Sequence, residues 1–516
     1  MPTNRKSYDE VITGGMLRYF VTPGGSRPSV APKYAGQDSV YLTIEGADAP
    51  ATGGFDTINV HEPTAVGKFR RVGRSRQPSD LPTATVKYMQ KRDTLPAHLV
   101  EAYKCASTFH MPVGSCRDLS NLSQGWSAYV RIFSNGEAGG VSLGGSQFDS
   151  DEAVMDEIEY TFDDIYDVGK VFFNEKASTE VTGEVKGIVY GSREQCADCG
   201  VSDDGTKWIY AVVESVGGSA ASVPFLVYST DGGLTWTSLA ITSIIYSDTV
   251  TGLAIANNRL IVVFSDATTG GVYTTKIDQK TGIPNSSWTK TTTGFVSGKQ
   301  PNDIWVANAR EIWFAGNGGY IYKSTYILNG VEVIDAGDAT TENLNRVTGL
   351  DDLIVLVGET DTIVYSEDRG GTFATATATG GGAGLDALAV VDKNIWWVGD
   401  DAGSLYSTEN GGTTWVDRSP IASITSIQDI VFITDEVGWA VAQATALAGL
   451  FSTIDGGRQW QTTDPRINNF PVFNKANRIA YPMVSNTRTA VNNIALGGLA
   501  TGMTDGIIVV GSAAQF

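Results

Sequence analysis

The sequence predicts an all-β protein in which an N-terminal β-sandwich with one flanking helix precedes a seven-bladed β-propeller, with six or eight blades as alternatives. One observation is a turn segment that occurs four times and closes on aromatic residues at positions 236, 373, 415 and 460. A second is its spacing, because intervals of 42 and 45 residues follow a longer one of 137. The long interval divides into three steps of about 46, which is about one four-stranded blade.

Each copy of this segment, here called the repeated turn, follows an apolar run that predicts a strand. The Asp or Asn accepts hydrogen bonds from backbone N–H groups, glycine permits angles that a Cβ forbids, and the aromatic ring packs beneath. The sequence therefore predicts a hairpin whose turn is satisfied by its own residues. Its positions are Ser229, Asp231, Gly233, Thr235 and Trp236; Ser366, Asp368, Gly370, Thr372 and Phe373; Thr408, Asn410, Gly412, Thr414 and Trp415; and Thr453, Asp455, Gly457 and Trp460.

The four copies resemble the Asp-box, or BNR repeat, of sialidase-like and related β-propellers, whose pattern is S-x-D-x-G-x-T-W. Two copies fit the pattern, and two depart from it conservatively at Asn410 and Gln459. The resemblance implies a propeller over residues 183–516, the C-terminal two-thirds of the chain.

Composition limits the class of protein. A chain of 516 residues is too long for one core, and 42% hydrophobic residues with 59 glycines suit a folded, turn-rich protein. The net charge of −20 argues against binding of nucleic acid through its phosphates. No run of 18 apolar residues predicts a membrane span, and the N-terminus lacks the apolar core of a signal peptide. We therefore expect synthesis in a cytoplasm, where four cysteines do not form a disulfide framework.

Residues 1–82 are rich in Pro and Gly and are interpreted as an extended arm with loops, with a strand at Ser39–Ile44. A basic cluster within it is either a solvated loop or a contact with an acidic neighbour. Its members are Lys68, Arg70, Arg71, Arg74 and Arg76.

Residues 83–175 predict the β-sandwich. Strands are expected at 83–92, 126–133, 158–162 and 168–173, and a helix at 96–106 begins with Pro in its first turn. An acidic stretch from Asp149 to Asp167 is either a solvated loop or a subunit contact. Its candidate contact residues are Asp156, Glu157, Glu159, Asp163 and Asp164.

The order strand, helix, long strands, and the closing strand Asp156–Asp164, resemble tail tube proteins of long-tailed bacteriophages. The resemblance implies a hexameric ring that stacks into a tube, through which DNA passes without specific binding. The acidic stretch would then line the lumen or meet the basic cluster of a neighbouring subunit.

Residues 176–182 are interpreted as a linker, and apolar runs up to residue 510 supply the blades. The seventh blade has three strands of its own in this interpretation. We expect Gly183–Tyr190 to supply its fourth strand, because that pairing closes the ring and removes an exposed edge.

Candidate catalytic residues are few. Sialidases of this repeat class need three arginines, a Tyr nucleophile and an Arg-Ile-Pro signature, whereas this chain has Arg466-Ile-Asn late in its sequence. Related glucanases use two carboxylates between two propellers. Asp204, Asp303 and Asp351 would suit that role, but turn capping explains them equally well. Cys196 and Cys199 form a lone CxxC, for which a disulfide or free thiols are favoured over a metal site. No cofactor, metal or catalytic residue is expected.

The predicted function is that of a non-enzymatic virion structural protein, a tail tube subunit made in the host cytoplasm and carrying an outward-facing propeller. Its expected partners are further copies of itself, other virion proteins and host surface glycans. The alternatives are a cellular propeller scaffold, like photosystem assembly factors of the same repeat class, and a glycan-binding or glycoside hydrolase module.

Overall fold

The computed structural model contains two compact units, one made mainly of residues 1–169 and the other mainly of residues 170–516. In the first unit and at residues 171–175 the structure describes the backbone of the strands. Beyond these it describes residues 183–191, 208–214, 223–242, 244–245, 247–308, 311–325, 331–419, 424–434, 437–444, 448–453, 456–457, 460–462, 473–482, 493–500 and 506–513.

The first unit contains a seven-stranded antiparallel sheet and a two-stranded ribbon. Its strands are β1 (Tyr19–Pro23), β2 (Val40–Leu42), β3 (Phe55–His61), β4 (Phe69–Pro78), β5 (Thr83–Met89), β6 (Ser107–Val113), β7 (Tyr129–Ser142), β8 (Met155–Thr161) and β9 (Asp164–Gly169). The sheet order is β2-β1-β6-β7-β8-β5, and β9 also pairs with β7. The long strand β7 pairs with β6 and β9 along its first half and with β8 along its second.

Several strands of this unit were not predicted. The ribbon β3–β4 lies in the region interpreted as an extended arm, and it forms because two runs pair across a short connection. The predicted helix at 96–106 lies outside the described residues.

Seven four-stranded antiparallel sheets form the propeller, and each is one blade. Blade 1 comprises β11 (Glu184–Gly191), β12 (Trp208–Glu214), β13 (Phe225–Ser229) and β14 (Thr237–Ala240). Blade 2 comprises β15 (Thr249–Ala256), β16 (Arg259–Ser265), β17 (Gly271–Lys276) and β18 (Thr289–Thr291). Blade 3 comprises β19 (Pro301–Asn308), β20 (Glu311–Gly316), β21 (Tyr320–Thr325) and β22 (Val331–Ala336). A single 3-10 turn, Asn317–Gly319, joins β20 to β21.

Blades 4 to 6 have the same layout. Blade 4 comprises β23 (Leu344–Leu350), β24 (Leu353–Gly358), β25 (Thr362–Ser366) and β26 (Ala374–Thr375). Blade 5 comprises β27 (Leu385–Val390), β28 (Trp396–Asp400), β29 (Leu405–Thr408) and β30 (Val416–Asp417). Blade 6 comprises β31 (Ile424–Phe432), β32 (Gly438–Ala444), β33 (Ala448–Thr453) and β34 (Gln461–Thr462). Blade 7 comprises β35 (Phe473–Ala480), β36 (Ile494–Ala500), β37 (Gly506–Ala513) and, from far earlier in the chain, β10 (Val171–Glu175).

The strand that completes blade 7 differs from the prediction. β10 pairs with β37, with Phe173 opposite Gly511, so the last strand expected in the sandwich belongs to the propeller. Gly183–Tyr190 was expected in that place, which is wrong: it forms β11, the first strand of blade 1, and pairs with β12. The ring is still closed by an early segment of the chain, as predicted.

The hydrophobic core lies between blades. Each of the seven junctions contains a cluster of buried side chains drawn from two consecutive blades. At the junction of blades 3 and 4, for example, Trp313 packs with Leu356. At the junction of blades 7 and 1, Ile209 packs with Ala495 and Ile508, which shows that the ring is closed by apolar contact as well as by β10.

The first strands of successive blades lie side by side around the axis of the ring. Because neighbouring strands alternate in direction, the propeller has two faces. We call one the linker face. It carries the turns between the second and third strands of each blade and the connections from one blade to the next. The two kinds of segment contact each other in blade 4, where Glu359 N–H donates to the Asn343 carbonyl. We call the other the repeat face. It carries the repeated turns and the turns between the first and second strands of each blade. The two kinds of turn contact each other in blade 4, where Arg369 N–H donates to the Asp352 carbonyl.

Candidate functional site

The innermost strand of every blade carries a β-bulge near the linker face. Each bulge leaves one residue without a partner on the second strand, and a bulge redirects the side chain of that residue. These residues are polar in all seven blades. They are Lys186, Thr251, Asn302, Asn345, Asp386, Gln428 and Asn477.

Four of these bulge residues tie their blade to the next one. Asn302 Nδ2 donates to the Leu344 carbonyl at 2.9 Å, and Asn477 Nδ2 donates to the Val185 carbonyl at 2.7 Å. Thr251 and Asn345 donate in the same way to the carbonyls of Pro301 and Leu385. The shared role is a hydrogen bond across a blade junction, close to the axis.

A group of four charged residues, here called the axial cluster, follows the bulges by one position in blades 3, 4, 6 and 7. It consists of Asp303, Arg346, Asp429 and Arg478. Arg346 Nη2 donates to the Gln428 carbonyl at 3.0 Å, which joins blade 4 to blade 6. Arg478 Nη2 lies 3.4 Å from both the Thr251 carbonyl and Asp303 Oδ1, which joins blade 7 to blades 2 and 3.

The two carboxylates of the axial cluster accept backbone hydrogen bonds from a neighbouring blade. Val347 N–H donates to Asp303 Oδ2 at 3.1 Å, and Ile479 N–H donates to Asp429 Oδ2 at 2.8 Å. Burial raises the pKa of Asp303 to about 6 and that of Asp429 to about 7, against the opposing charge of Arg346. The negative charge of Asp303 also raises the pKa of Asp429, so ionisation of one carboxylate disfavours ionisation of the other.

A second set of charges joins blades 7 and 1. Glu184 accepts from Lys475 at 3.0 Å and Asn477 at 2.9 Å, and its other oxygen lies 2.8 Å from Lys186 Nζ. Burial opposes the ionisation of Glu184, but the two lysines outweigh it and lower its pKa to about 2. This set holds β35, the innermost strand of blade 7, against β11.

Blades 4 and 5 present carboxylates to the linker face. Asn345 Nδ2 lies 3.2 Å from both Glu359 Oε1 and Asp386 Oδ1, and Asp401 follows β28 in an adjacent turn. Burial raises the pKa of Asp386; Arg346 opposes that shift, and the charges of Asp401 and Glu359 add to it. Within the described part of the chain, Glu359, Asp386 and Asp401 form no ion pair.

The repeated turns lie on the opposite face, between the third and fourth strands of blades 1, 4, 5 and 6. In the second copy Gly370 N–H donates to Ser366 Oγ at 2.8 Å, and Ser366 Oγ donates to Asp368 Oδ1 at 2.8 Å. Thr372 N–H and Oγ1 both donate to Asp368, each at 2.8 Å. The carboxylate is thus occupied by its own turn.

The other copies repeat this arrangement. Ser229, Asp231, Gly233 and Thr235 form the same bonds in blade 1. In blade 5 the Asn410 amide donates to Thr414 Oγ1 at 2.9 Å, whereas in the Asp copies the threonine donates to the carboxylate. In blade 6 Gly457 N–H donates to Thr453 Oγ1, while Asp455 lies outside the described residues.

The closing aromatic of each repeated turn packs into the junction with the preceding blade. Trp236, Phe373, Trp415 and Trp460 lie against the cores of the junctions 7–1, 3–4, 4–5 and 5–6. The repeated turns therefore have geometry suited to holding blades together.

The charged residues singled out in the first unit lie on two different sheets. Arg70, Arg71, Arg74 and Arg76 lie on β4 of the ribbon, so the loop interpretation of the basic cluster is wrong for them. Asp156, Glu157 and Glu159 lie on β8 of the seven-stranded sheet, and Asp164 begins β9. Lys68, Asp163, Cys196, Cys199 and Asp204 lie outside the described residues.

Sequence reasoning missed the axial cluster. Asp303 was weighed as a hydrolase carboxylate or a turn cap, but it lies in β19 and accepts from the strand of the next blade. Asp351 does lie in a turn, with φ of 54°. A signal was present, because Asn-Asp-Ile, Asn-Arg-Val, Gln-Asp-Ile and Asn-Arg-Ile recur from residues 302, 345, 428 and 477 at the start of apolar runs.

Among the described residues, no group of three or more His, Cys, Asp or Glu side chains is arranged to hold a metal ion. The same part of the chain has no helix of the length and apolarity that a membrane crossing requires.

The closed ring of four-stranded sheets defines the class: the chain contains a seven-bladed β-propeller. It is similar to YCF48 from Cyanidioschyzon merolae, with a TM-score of 0.47 and 12% identity over 66% of this chain and 98% of that one. A structure of YCF48 bound to a D1 peptide has a TM-score of 0.47 and 14% identity over 67% and 96%. The WD40 repeats of RRP9 have a TM-score of 0.46 and 9% identity over 66% and 98%. No protein-family model and no curated protein matches the chain.

Proposed function

We propose that the propeller is a non-catalytic scaffold that holds or assembles protein partners. One observation carries the proposal: the polar residues around the axis are engaged in tying blades to one another. The two arginines of the axial cluster reach across to non-adjacent blades, and both of its carboxylates accept hydrogen bonds from a neighbouring strand. A catalytic acid or base needs an atom within hydrogen-bond reach of substrate, and these groups are occupied internally.

The linker face is the surface we expect partners to contact. Residues 181–516 contain 34 Asp and Glu against 19 Lys and Arg, and an acidic surface steers basic partners toward it. Glu359 and Asp401 are exposed there and belong to separate turns of two adjacent blades. The ties around the axis keep the ring rigid, so binding at this face incurs little ordering cost.

Cross-linking the full-length chain to its partners in its native cells, followed by mapping of the linked residues, tests the scaffold proposal. We expect cross-links from the same proteins to recur on turns of the linker face. Turnover of a glycoside or other substrate by the purified chain, abolished by changing Asp303 or Asp429, would contradict the proposal and support the hydrolase alternative.

The virion role remains a prediction that rests on the resemblance of the first unit to tail tube proteins. Oligomerisation into rings, host glycans as ligands and a lumen for DNA belong to that prediction. Electron microscopy of the purified full-length chain tests it: rings or tubes would support a tube subunit, and monodisperse single particles would contradict it.

A further inference from the structure

Blade 7 is the blade whose strands come from both ends of the propeller sequence, so it is where the ring must be held shut. Its innermost strand, β35, is fixed by polar contacts on both sides. Toward blade 1, Asn477 and Lys475 bind Glu184. Toward blade 6, Ile479 N–H donates to Asp429, and across the axis Arg478 contacts Asp303.

The junction of blades 6 and 7 differs from four of the other junctions in the chemistry of its tie. Junctions 2–3, 3–4, 4–5 and 7–1 each have a bulge hydroxyl or amide that donates to a carbonyl of the next blade. At junction 6–7 the bulge residue Gln428 donates instead to Ser426 of its own strand. Among the described residues, blades 6 and 7 are joined near the axis by the hydrogen bond from Ile479 N–H to the Asp429 carboxylate, which is a titratable group.

The charges that face Asp429 come from several strands. Arg346 of β23 is positive and Asp303 of β19 is negative; Arg478 of β35 contacts Asp303, and the charge of Arg346 also acts on Asp386 of β27. β32, which pairs with β31, has no titratable side chain, and Asp400 of β28 is bound by N–H groups of its own turn. One guanidinium atom, Arg346 Nε, is buried without a hydrogen-bond partner.

We propose that the axial cluster is a proton-operated lock on blade 7, in which proton uptake by the Asp303–Asp429 pair holds β35 more firmly in the ring. Two carboxylates that are mostly shielded from water and lie within electrostatic reach of each other repel, and this burial penalises each negative charge. One bound proton removes the repulsion and part of the burial cost, while a neutral Asp429 still accepts the bond from Ile479 N–H.

The direction of the pH dependence follows from the pKa values. The folded-state pKa of Asp429, about 7, lies above its ordinary value of 3.8. The stabilisation of β35 by bound protons is therefore complete at low pH and is lost as pH rises through about 7. This trend is opposite to acid denaturation, in which stability is lost as pH falls. Between pH 5.5 and 7 the equilibrium constant for opening of β35 should rise by up to roughly ten-fold per pH unit, and it should level off above that range.

Hydrogen exchange of the full-length chain between pH 5.5 and 8, corrected for the intrinsic pH dependence of amide exchange, measures this opening. We expect protection of a peptide covering residues 473–480 to fall as pH rises, and that of a peptide covering 353–358 in blade 4 to change less. Equal change in both peptides, or none in the first, would overturn the lock.

Two variants sharpen the test. Asp429→Asn keeps an oxygen that accepts from Ile479 N–H but removes the titration of Asp429, so the pH dependence at 473–480 should shrink to the part that Asp303 contributes. Asp335→Asn changes another buried carboxylate, which caps the turn after β22 by accepting from Gly337 and Asp338, and should retain the dependence. Retention of the full wild-type dependence in Asp429→Asn would contradict the proposal; should that variant fail to fold, the comparison of the two wild-type peptides decides alone.

Discussion

At the scale of single residues, the repeated turn combines a hydroxyl, a carboxylate or amide, and a glycine whose roles are inseparable. Ser366 Oγ accepts from Gly370 N–H and donates to Asp368, and Asp368 in turn fixes Thr372. Hydrogen bonds from Thr372 and Ser366 lower the pKa of Asp368 to about 2, so the carboxylate stays charged in all but strong acid. Replacement by Asn410 in blade 5 preserves the geometry because its amide reverses the direction of one bond.

Ser366→Ala should destabilise the propeller by about 1–2 kcal/mol, because Gly370 N–H loses its acceptor and Asp368 loses a donor. The midpoint of urea unfolding at constant slope measures this loss. Ser238→Ala, at an exposed position on β14, is the matched control and should lie within about 0.5 kcal/mol of wild type. Equal effects of the two changes would mean that the hydroxyl has no structural role.

Gly370 is required for two reasons. Its φ is 83°, and a Cβ there would clash with the ring of Trp313 in the preceding blade. Gly370→Ala should therefore cost about 2–4 kcal/mol in unfolding free energy. Gly380 has φ of 91° with open space around it, so Gly380→Ala isolates the backbone strain and should cost about 1 kcal/mol. A cost for Gly370→Ala no larger than for Gly380→Ala would refute the contact with Trp313.

Arg369 shows how one copy tolerates a different residue. Three copies have glycine at this position, and Arg369 adopts the same left-handed backbone, with φ of 60°. Its guanidinium contacts Glu311 of blade 3 at 3.1 Å, and Glu311 also accepts from Trp313 Nε1. The backbone strain is therefore accompanied by an added contact between blades.

At the scale of strands, β10 decides where the propeller begins. It adds five paired residues to β37 and covers an edge that would otherwise expose unpaired backbone groups. Because each ladder hydrogen bond contributes about 1 kcal/mol, the strand should stabilise blade 7 by on the order of 5 kcal/mol.

Two truncations test the role of β10. A chain of residues 170–516 should fold to a monodisperse species, and a chain of residues 183–516 should unfold at lower urea or aggregate through the exposed edge of β37. Size-exclusion chromatography and urea unfolding compare them directly. Equal stability of the two chains would show that β10 does not close the ring.

The strands of blades 2 to 6 were predictable because apolar runs alternate with turn residues at a constant period. The partners of β10 and β11 were not, since both are short apolar strands on either side of a linker and periodicity does not state which sheet a strand joins. Trp288, which lies near a missing step of the period of about 46 residues, immediately precedes β18. The ribbon β3–β4 escaped prediction because β4 combines four arginines with a Gly and a terminal Pro, and Gly and Pro are uncommon in strands.

At the scale of the molecule, the propeller is held by two concentric sets of contacts. Apolar clusters fill all seven blade junctions, and polar ties from the bulges and the axial cluster lie inside them, near the axis. A ring held in this way is stiff, which suits a surface that presents turns to partners.

The axial cluster was hidden in the sequence for a physical reason. Its residues are 43 to 175 positions apart in the sequence, and only ring closure brings Arg478 to Asp303 and Thr251. The repeated turn, by contrast, closes within eight residues, so its structure follows from local sequence. The residues that repeat most visibly therefore lie on one face, and the buried charges lie near the other.

The measurement that most directly tests the scaffold account is quantitative capture of the native partners by paired charge-reversal variants of the full-length chain. Glu359→Lys with Asp401→Lys reverses two exposed charges on the linker face. Asp352→Lys with Glu367→Lys reverses two on the repeat face, where the side chains are 70% and 56% exposed, and serves as the matched control. The account predicts at least ~10-fold weaker capture by the linker-face variant, about 1.4 kcal/mol, with the control close to wild type. Equal capture by both variants, or selective loss in the control, would contradict it.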